Sequence, residues 1–272
     1  MIHDKRLDGG NGFDWGRTSE EYAKYRDIYP PAFWKPLLEA GLFQKGMRVL
    51  DIGTGTGVLP RALCKYGAEF VGTDISAEQV AQARRLSEGM PITYYVCPAE
   101  QLDFPAASFD TITACQCFFY FDHSVVVPLL ARLLKPGGRL AVTYLSWLPE
   151  EDPIAGASEQ LVLRHNPAWT GGGEYRRPVS LPEIIDRYFI RVQEEQFDLP
   201  LSFTRESWAG RIHACRGVGA SLPPEALARF EEKHRALLEE IAPERFNILH
   251  YAAYAILHVR ETPDIGNWPE SY

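Results

Sequence analysis

Residues 48–57 read Arg-Val-Leu-Asp-Ile-Gly-Thr-Gly-Thr-Gly, an apolar run that breaks into three glycines at alternate positions. Arg48 to Ile52 has the make-up of a short buried strand, and Val58 to Tyr66 reads as the helix that follows the glycines. Glycines at such a junction let the backbone turn sharply and let a ligand come close to the main chain. The alternation then continues. Residues 70–75 read as a second strand, and Ser76 with Gln79 reads as a capping box opening a helix. Residues 92–97 and 109–116 are further strands, Ser124 caps a helix ended by Lys135-Pro136-Gly137-Gly138, and 139–147 is a fifth strand. Strand and helix at this spacing predict βαβ units and a mostly parallel sheet with helices on both faces.

After Trp147 the rhythm breaks. Residues 148–179 hold Pro149, Pro153, Pro167, Pro178 and Gly171-Gly172-Gly173, and read as a cap or binding loop without periodicity. Ser180 and Glu183 suggest a helix to Phe189, residues 192–203 a strand, 223–241 a helix and 250–260 a closing strand. The chain of 272 residues is therefore read as one domain. Its parts are an N-terminal lid and first helix over 1–46, a binding core over 47–147, an inserted cap over 148–190, and a C-terminal part over 191–272 that completes the sheet.

The glycine loop constrains the ligand. A dinucleotide fingerprint needs G-x-G-x-x-G. Counted from Gly53 the last glycine falls on Val58, and counted from Gly55 it falls on Pro60, so a nicotinamide reading fails in both registers. No G-x-x-x-x-G-K-[ST] occurs either. What stands is D-x-G-x-G-x-G, with the carboxylate of Asp51 beside the loop. That carboxylate disfavours a pyrophosphate and suits a cationic ligand such as S-adenosylmethionine, which carries an ammonium and a sulfonium and no phosphate. Asp74 ends the next strand, where a carboxylate accepts hydrogen bonds from both ribose hydroxyls. Its other reading is the cap region of the helix at Ser76.

Composition narrows the class. Hydrophobic residues make up 46% and charged residues 24%, which is globular. A net charge of -8 without a basic stripe argues against a nucleic-acid partner. No apolar run approaches the roughly 20 residues that cross a bilayer, so no membrane is expected. The polar N-terminus is unlike a secretory signal. Five scattered cysteines suggest no disulfide framework and point to a reducing cytoplasm. The Cys115-x-Cys117 pair reads as small core side chains in preference to a metal site, and no metal is expected.

Five stretches in order carry a family resemblance: Val49–Gly57, Gly72–Ser76, Ala99–Pro105, Ser108–Asp110 and Leu134–Gly138. At these residues the chain resembles class I S-adenosylmethionine-dependent methyltransferases of the small-molecule type, with a methyltransferase 11-like domain. The resemblance implies a Rossmann-like sheet of seven strands, the last antiparallel. It implies that Gly53, Thr54, Gly55 and Gly57 line the methionine end of the cofactor and that Asp74 takes the ribose. Ile75, Ala99 and Glu100 would meet the adenine, with Cys115 and Gln116 facing the cofactor. Two departures are visible. Pro98 stands where the family often has an adenine-binding Asp, and Phe119-Tyr120 stand where it usually has His-Trp.

Methyl transfer from a sulfonium is an in-line displacement, so the protein mainly aligns donor and acceptor and excludes water. A base is needed only if the acceptor loses a proton. His123 and Tyr120 are the candidates. Tyr25, in the tyrosine-rich segment 22–30, either lies over the sulfonium as a cation–π partner or packs the first helix. Tyr144 and Trp147 are candidate pocket walls. Arg176-Arg177 are candidates for an acidic acceptor, and His213, Cys215 and Arg216 for the same pocket. The expected partner is a small-molecule acceptor, the expected product S-adenosylhomocysteine, and the expected assembly a monomer or homodimer. The competing reading is a non-enzymatic S-adenosylmethionine sensor or scaffold.

Overall fold

The computed structural model describes residues 1–262. The expected C-terminal part, 191–272, therefore has its last ten residues outside the described ones. In chain order the helices are α1 Ser19–Tyr25, α2 Pro31–Glu39, α3 Val58–Leu63, α4 Ala77–Leu86, α5 His123–Leu133, α6 Pro153–His165, α7 Ile185–Tyr188, α8 Arg205–His213 and α9 Pro224–Ile241. The strands are β1 Arg48–Ile52, β2 Glu69–Asp74, β3 Ile92–Val96, β4 Phe109–Cys115, β5 Leu134–Trp147, β6 Phe189–Thr204 and β7 Arg245–Val259. The chain divides into two compact units. Of the described residues, a sheet unit takes 30–144, 177–196 and 253–262, and a helical unit takes 1–29, 145–176 and 197–252.

The seven strands run in the order β3-β2-β1-β4-β5-β7-β6. β1 pairs in parallel with β2 on one side and β4 on the other, so Asp51 stands opposite both Gly72 and Thr113. The last strand is antiparallel, as expected. Tyr188 pairs with Arg260 and Arg205 with Glu244, so partner numbers run in opposite directions along β6 and β7. In the sheet unit the apolar face of α5 (Val126, Val127, Leu130 and Leu133) packs on Leu50, Ile52, Ile112 and Val142. The near-continuous burial of β1 and β4 is what a parallel sheet covered on both faces requires. Strand order reverses between β1 and β4, and in open α/β sheets ligands bind outside the carboxyl ends at such a switch point.

Several expectations shift. The cap of α5 is Asp122, whose side chain accepts from the Ser124 backbone N–H, while the Ser124 hydroxyl itself donates to that carboxylate. Ser124 is already the second residue of the helix, so the capping position falls to Asp122. The helix expected over 180–189 is reduced to the single turn of α7. The segment 148–179, read as aperiodic, contains the 13-residue helix α6. Asp152 caps it by accepting from Ile154 and Ala155 N–H groups, and Pro153 takes its first position. Asp-Pro is itself a helix-start signal, because the missing proline N–H is one the first turn cannot use. Helix α8 was not expected at all. Thr204 and Ser207 cap it reciprocally.

Within the helical unit, α8 packs against α1 and α9, and α6 against α9. Ser158 links three of these helices. Its hydroxyl donates to the Ile154 carbonyl, accepts from Trp208 Nε1–H at 2.9 Å, and meets His234 Nε2 at 3.0 Å. With the hydroxyl proton committed to Ile154, His234 must be the donor, which fixes it as a neutral Nε2–H ring. Burial pushes its pKa down to about 4.

Candidate functional site

The loop after β1 holds Gly53, Gly55 and Gly57 at φ +60°, +56° and +75°. Three left-handed residues at alternate positions are open to glycine and strained for other residues. The loop is pinned from both sides. Thr54 N–H donates to the Thr73 carbonyl at 2.9 Å, and Gly57 N–H donates back to Thr54 at 2.9 Å. A Cβ on Gly53 would come within 2.7 Å of Cys117 Sγ, and one on Gly57 within 2.2 Å of the Tyr94 hydroxyl. Tyr94 is buried, hydrogen-bonds Ser87 at 2.9 Å, and is pushed up to about 12 by burial. The site therefore needs glycine both for its backbone angles and for the close approach of neighbouring strands.

Two carboxylates flank the loop and differ in what they do. Asp51 is buried at 2% exposure and accepts from Thr113 and Thr54 hydroxyls, each at 2.6 Å. Burial raises its pKa to about 7, against the two hydroxyls that lower it. It closes the base of the loop. Asp74 is half-buried. One oxygen accepts from Gly55 N–H at 2.8 Å and the other from Ser76 N–H at 2.9 Å. Burial pulls its pKa up, and backbone donors at Ser76, Gly55 and Ile75 pull it back. Asp74 thus lies at the carboxyl end of β2, beside the glycines, and holds the N–H of Ser76, the cap of α4.

Of the other expected residues, Ile75 is 52% exposed, an apolar side chain left in solvent next to Asp74. Ala99 is buried in the sheet-unit core. The Glu100 carboxylate accepts from the Asp122 N–H at 2.9 Å, tying it to the start of α5. Cys115 ends β4, and Gln116 follows at φ +67°, a left-handed conformation uncommon for a residue with a side chain. Cys117 turns inward, its thiol donating to the Ile52 carbonyl at 3.1 Å, and burial raises its pKa well above the usual range. His123 Nε2 lies 2.9 Å from the Phe118 carbonyl and its ring stacks on Phe118 at 4.9 Å. A ring nitrogen facing a carbonyl must carry the proton, which leaves Nδ1 as the basic nitrogen. Tyr120 is half-buried beside Phe119, ring centres 4.2 Å apart. Thr113 and Tyr94, which shape the loop, were not among the expected residues. Only strand register reveals them.

Tyr25 belongs to the helical unit. Its hydroxyl donates to Glu206 at 3.0 Å and its ring fills the space over Gly210. It lines an open groove of about 550 Å³ with Lys24, Glu206, His213 and Glu231. Arg176 is engaged by Asp198 and Glu151. Arg216 pairs with buried Asp8 at 2.7 Å, and His213 meets Glu231 at 2.6 Å.

The loop and its carboxylates carry no lysine or arginine between residues 51 and 57. The two carboxylates match a ligand bearing positive charge and ribose hydroxyls.

Comparison with known proteins places these residues in a family. Residues 50–142 match the model of a methyltransferase domain. A ubiquinone biosynthesis O-methyltransferase of Nitrosococcus oceani is 30% identical over 62% of this chain and 72% of its own length. One of Xanthomonas axonopodis is 31% identical over 49% of this chain, which spans 57% of that relative. Among solved structures, a protein from Anaeromyxobacter dehalogenans shares the fold with a TM-score of 0.58 at 23% identity, covering 87% of this chain and 98% of its own. The YcgJ protein of Bacillus subtilis does so with a TM-score of 0.51 at 21% identity, covering 83% of this chain and 97% of its own.

Proposed function

This chain belongs to the class I S-adenosylmethionine-dependent methyltransferases, and on that premise we propose how its residues serve a methyl transfer to a small-molecule acceptor. When bound, S-adenosylmethionine supplies a methyl group already activated on a sulfonium. Gly53, Thr54, Gly55 and Gly57 would hold its methionine end. The two oxygens of Asp74 each keep a lone pair beyond the backbone bonds they make, and these accept the ribose hydroxyls. Ile75, Ala99 and Glu100 would hold the adenine. Cys115 and Gln116 close the β4 side.

Asp51 keeps the loop in shape and sets a negative charge behind it. The acceptor's proton, where one must leave, goes to His123 Nδ1, with Tyr120 as the second candidate. The relatives named for O-methylation in ubiquinone biosynthesis support a small organic acceptor. No helix among the described residues is long and apolar enough to cross a membrane, in keeping with a cytoplasmic enzyme. Both units are read as one catalytic module.

The observation that carries this reading is the Asp74 carboxylate held beside three left-handed glycines. Calorimetric titration of the full chain with S-adenosylhomocysteine tests it. Binding in the micromolar range is expected, and absence of binding defeats the proposal.

A further inference from the structure

The groove of about 550 Å³ that Tyr25 lines has no part in the glycine loop, and all of its walls belong to the helical unit. They come from α1, α8 and α9, with Glu244 just before β7. A concavity of that volume is the size of a small-molecule site.

Charge in the groove is one-sided. Six glutamates line it against three cations, Lys24, Arg205 and Arg235. Two of the cations are already taken, Lys24 by Glu206 at 3.1 Å and Arg205 by Glu244 at 4.0 Å. Among the described residues Glu20, Glu21 and Glu239 form no ion pair. Glu231 meets His213 Nδ1 with one oxygen at 2.6 Å. Its other oxygen makes no hydrogen bond to a described residue.

His234 belongs to the same lining although it is only 1% exposed. Its Nε2 is committed to Ser158 at 3.0 Å, and burial holds the ring neutral by pushing its pKa down to about 4. With the proton on Nε2, Nδ1 is an acceptor. No described residue donates to it. Buried polar atoms are nearly always paired, so a bare acceptor on a groove calls for a donor from outside the chain.

These features select a ligand. The surplus of carboxylates repels an anion. Among the described residues no three His, Cys, Asp or Glu side chains are grouped so as to hold a metal ion. The acceptors are spread over two walls, with Glu20 and Glu21 on α1 and Glu231 and His234 on α9. Spaced acceptors suit separate N–H donors carried on one flexible cation.

We propose that this groove is a second ligand site, for a small organic diamine whose ammonium N–H groups are taken by His234 Nδ1 and by the carboxylates of Glu231 and α1. The site goes beyond the methyl transfer proposed above and does not depend on it. A quaternary ammonium has the charge but not the N–H, so it fits the acidic walls and leaves His234 unmet.

The full chain is titrated calorimetrically with putrescine and with its N-permethylated counterpart, a dication without N–H groups. Putrescine is expected to bind at one site, about tenfold or more tighter than the permethylated dication. Glu231→Gln should weaken putrescine by about tenfold. Glu225→Gln, on the same helix but outside the groove, should leave it within about twofold. His234→Phe, which removes the acceptor, should bring the two dications to equal affinity. If that variant does not fold, the wild-type pair and the two glutamate variants decide alone. Equal or absent binding of the two dications by the wild type overturns the proposal. Equal losses in Glu231→Gln and Glu225→Gln overturn it too, because diffuse attraction to an acidic surface would produce them. Putrescine affinity should be unchanged in the presence of saturating S-adenosylhomocysteine. Displacement of that ligand by putrescine would put the diamine at the glycine loop and overturn the assignment to the groove. Failure of the wild type to bind S-adenosylhomocysteine strikes the methyltransferase reading and leaves this one standing.

Discussion

Asp74 accepts a hydrogen bond from the Gly55 N–H at 2.8 Å, tying the end of β2 to the middle glycine of the loop that follows β1. Its second oxygen is fixed by Ser76 N–H at 2.9 Å, so the carboxylate is held before any ligand arrives. A carboxylate offers about four lone-pair positions, and two are used here. Asp74→Asn turns one of those oxygens into a donor facing a donor. S-adenosylhomocysteine affinity is expected to fall by about 10–100-fold, the cost of losing charge-assisted hydrogen bonds. Calorimetry reads it. A variant that melts earlier yet binds as well as the wild type would show the bonds to be structural only.

Gly53 is constrained both by its backbone angle and by crowding. Its φ of +60° costs an L-residue about 1–2 kcal/mol, and an added Cβ meets Cys117 Sγ at 2.7 Å. Gly53→Ala is expected to destabilise the fold by more than the φ penalty alone. Gly46, at φ +85° with open space where its Cβ would lie, provides the comparison. Gly46→Ala should cost the φ penalty only. Equal losses for the two in urea unfolding would sink the argument from crowding.

Asp51 sets a pH dependence with a definite sign. Its folded pKa, about 7, lies above the ordinary carboxylate value. Such a group favours the fold while it stays protonated, and that contribution is lost as pH rises from about 4 to about 7. The Thr113 hydroxyl, at 2.6 Å, limits the loss by stabilising the ionised form. Thr113→Val should therefore cost about 2 kcal/mol at pH 8.5 and clearly less at pH 5.5. Urea unfolding at both pH values measures the difference, and an equal cost at both would contradict it.

His234 has the opposite sign. Burial holds it neutral, with a pKa of about 4, below that of an exposed histidine. Its contribution is complete above about pH 6.5 and is lost as pH falls toward 4. Between pH 7 and pH 5 the wild type should lose about 2 kcal/mol more than His234→Gln, which keeps a donor for Ser158 and does not titrate. Parallel pH profiles for the two proteins would refute this.

Asp152 caps α6 and also accepts from the Leu249 N–H at 2.8 Å with its other oxygen. Asp152→Ala is expected to cost about 2 kcal/mol, more than an ordinary cap, because a half-buried β7 amide loses its partner as well. Thermal unfolding shows it as a Tm drop of a few degrees.

Much of the sheet unit was legible because its signals are local. β1 begins and ends where its apolar run does, at Arg48 and Ile52, and Ser76 accepts from Gln79 N–H as the spacing suggested. The glycines declared a left-handed turn because few other residues adopt one cheaply. The helical unit was harder. Pro153 falls in a stretch that reads as a break, although it occupies a first helical turn, while the helix expected over 223–241 is present as α9. What the sequence alone determined is the periodic core and the glycine loop, since both follow from backbone preference and the period of burial. Only the tertiary structure decided that Thr113 would face Asp51 from the neighbouring strand, that Asp74 would reach Gly55, and that Arg211 would be buried over the Trp147 ring. Those relationships join residues far apart in the chain, and only strand register and helix packing bring them within hydrogen-bond and Coulomb range.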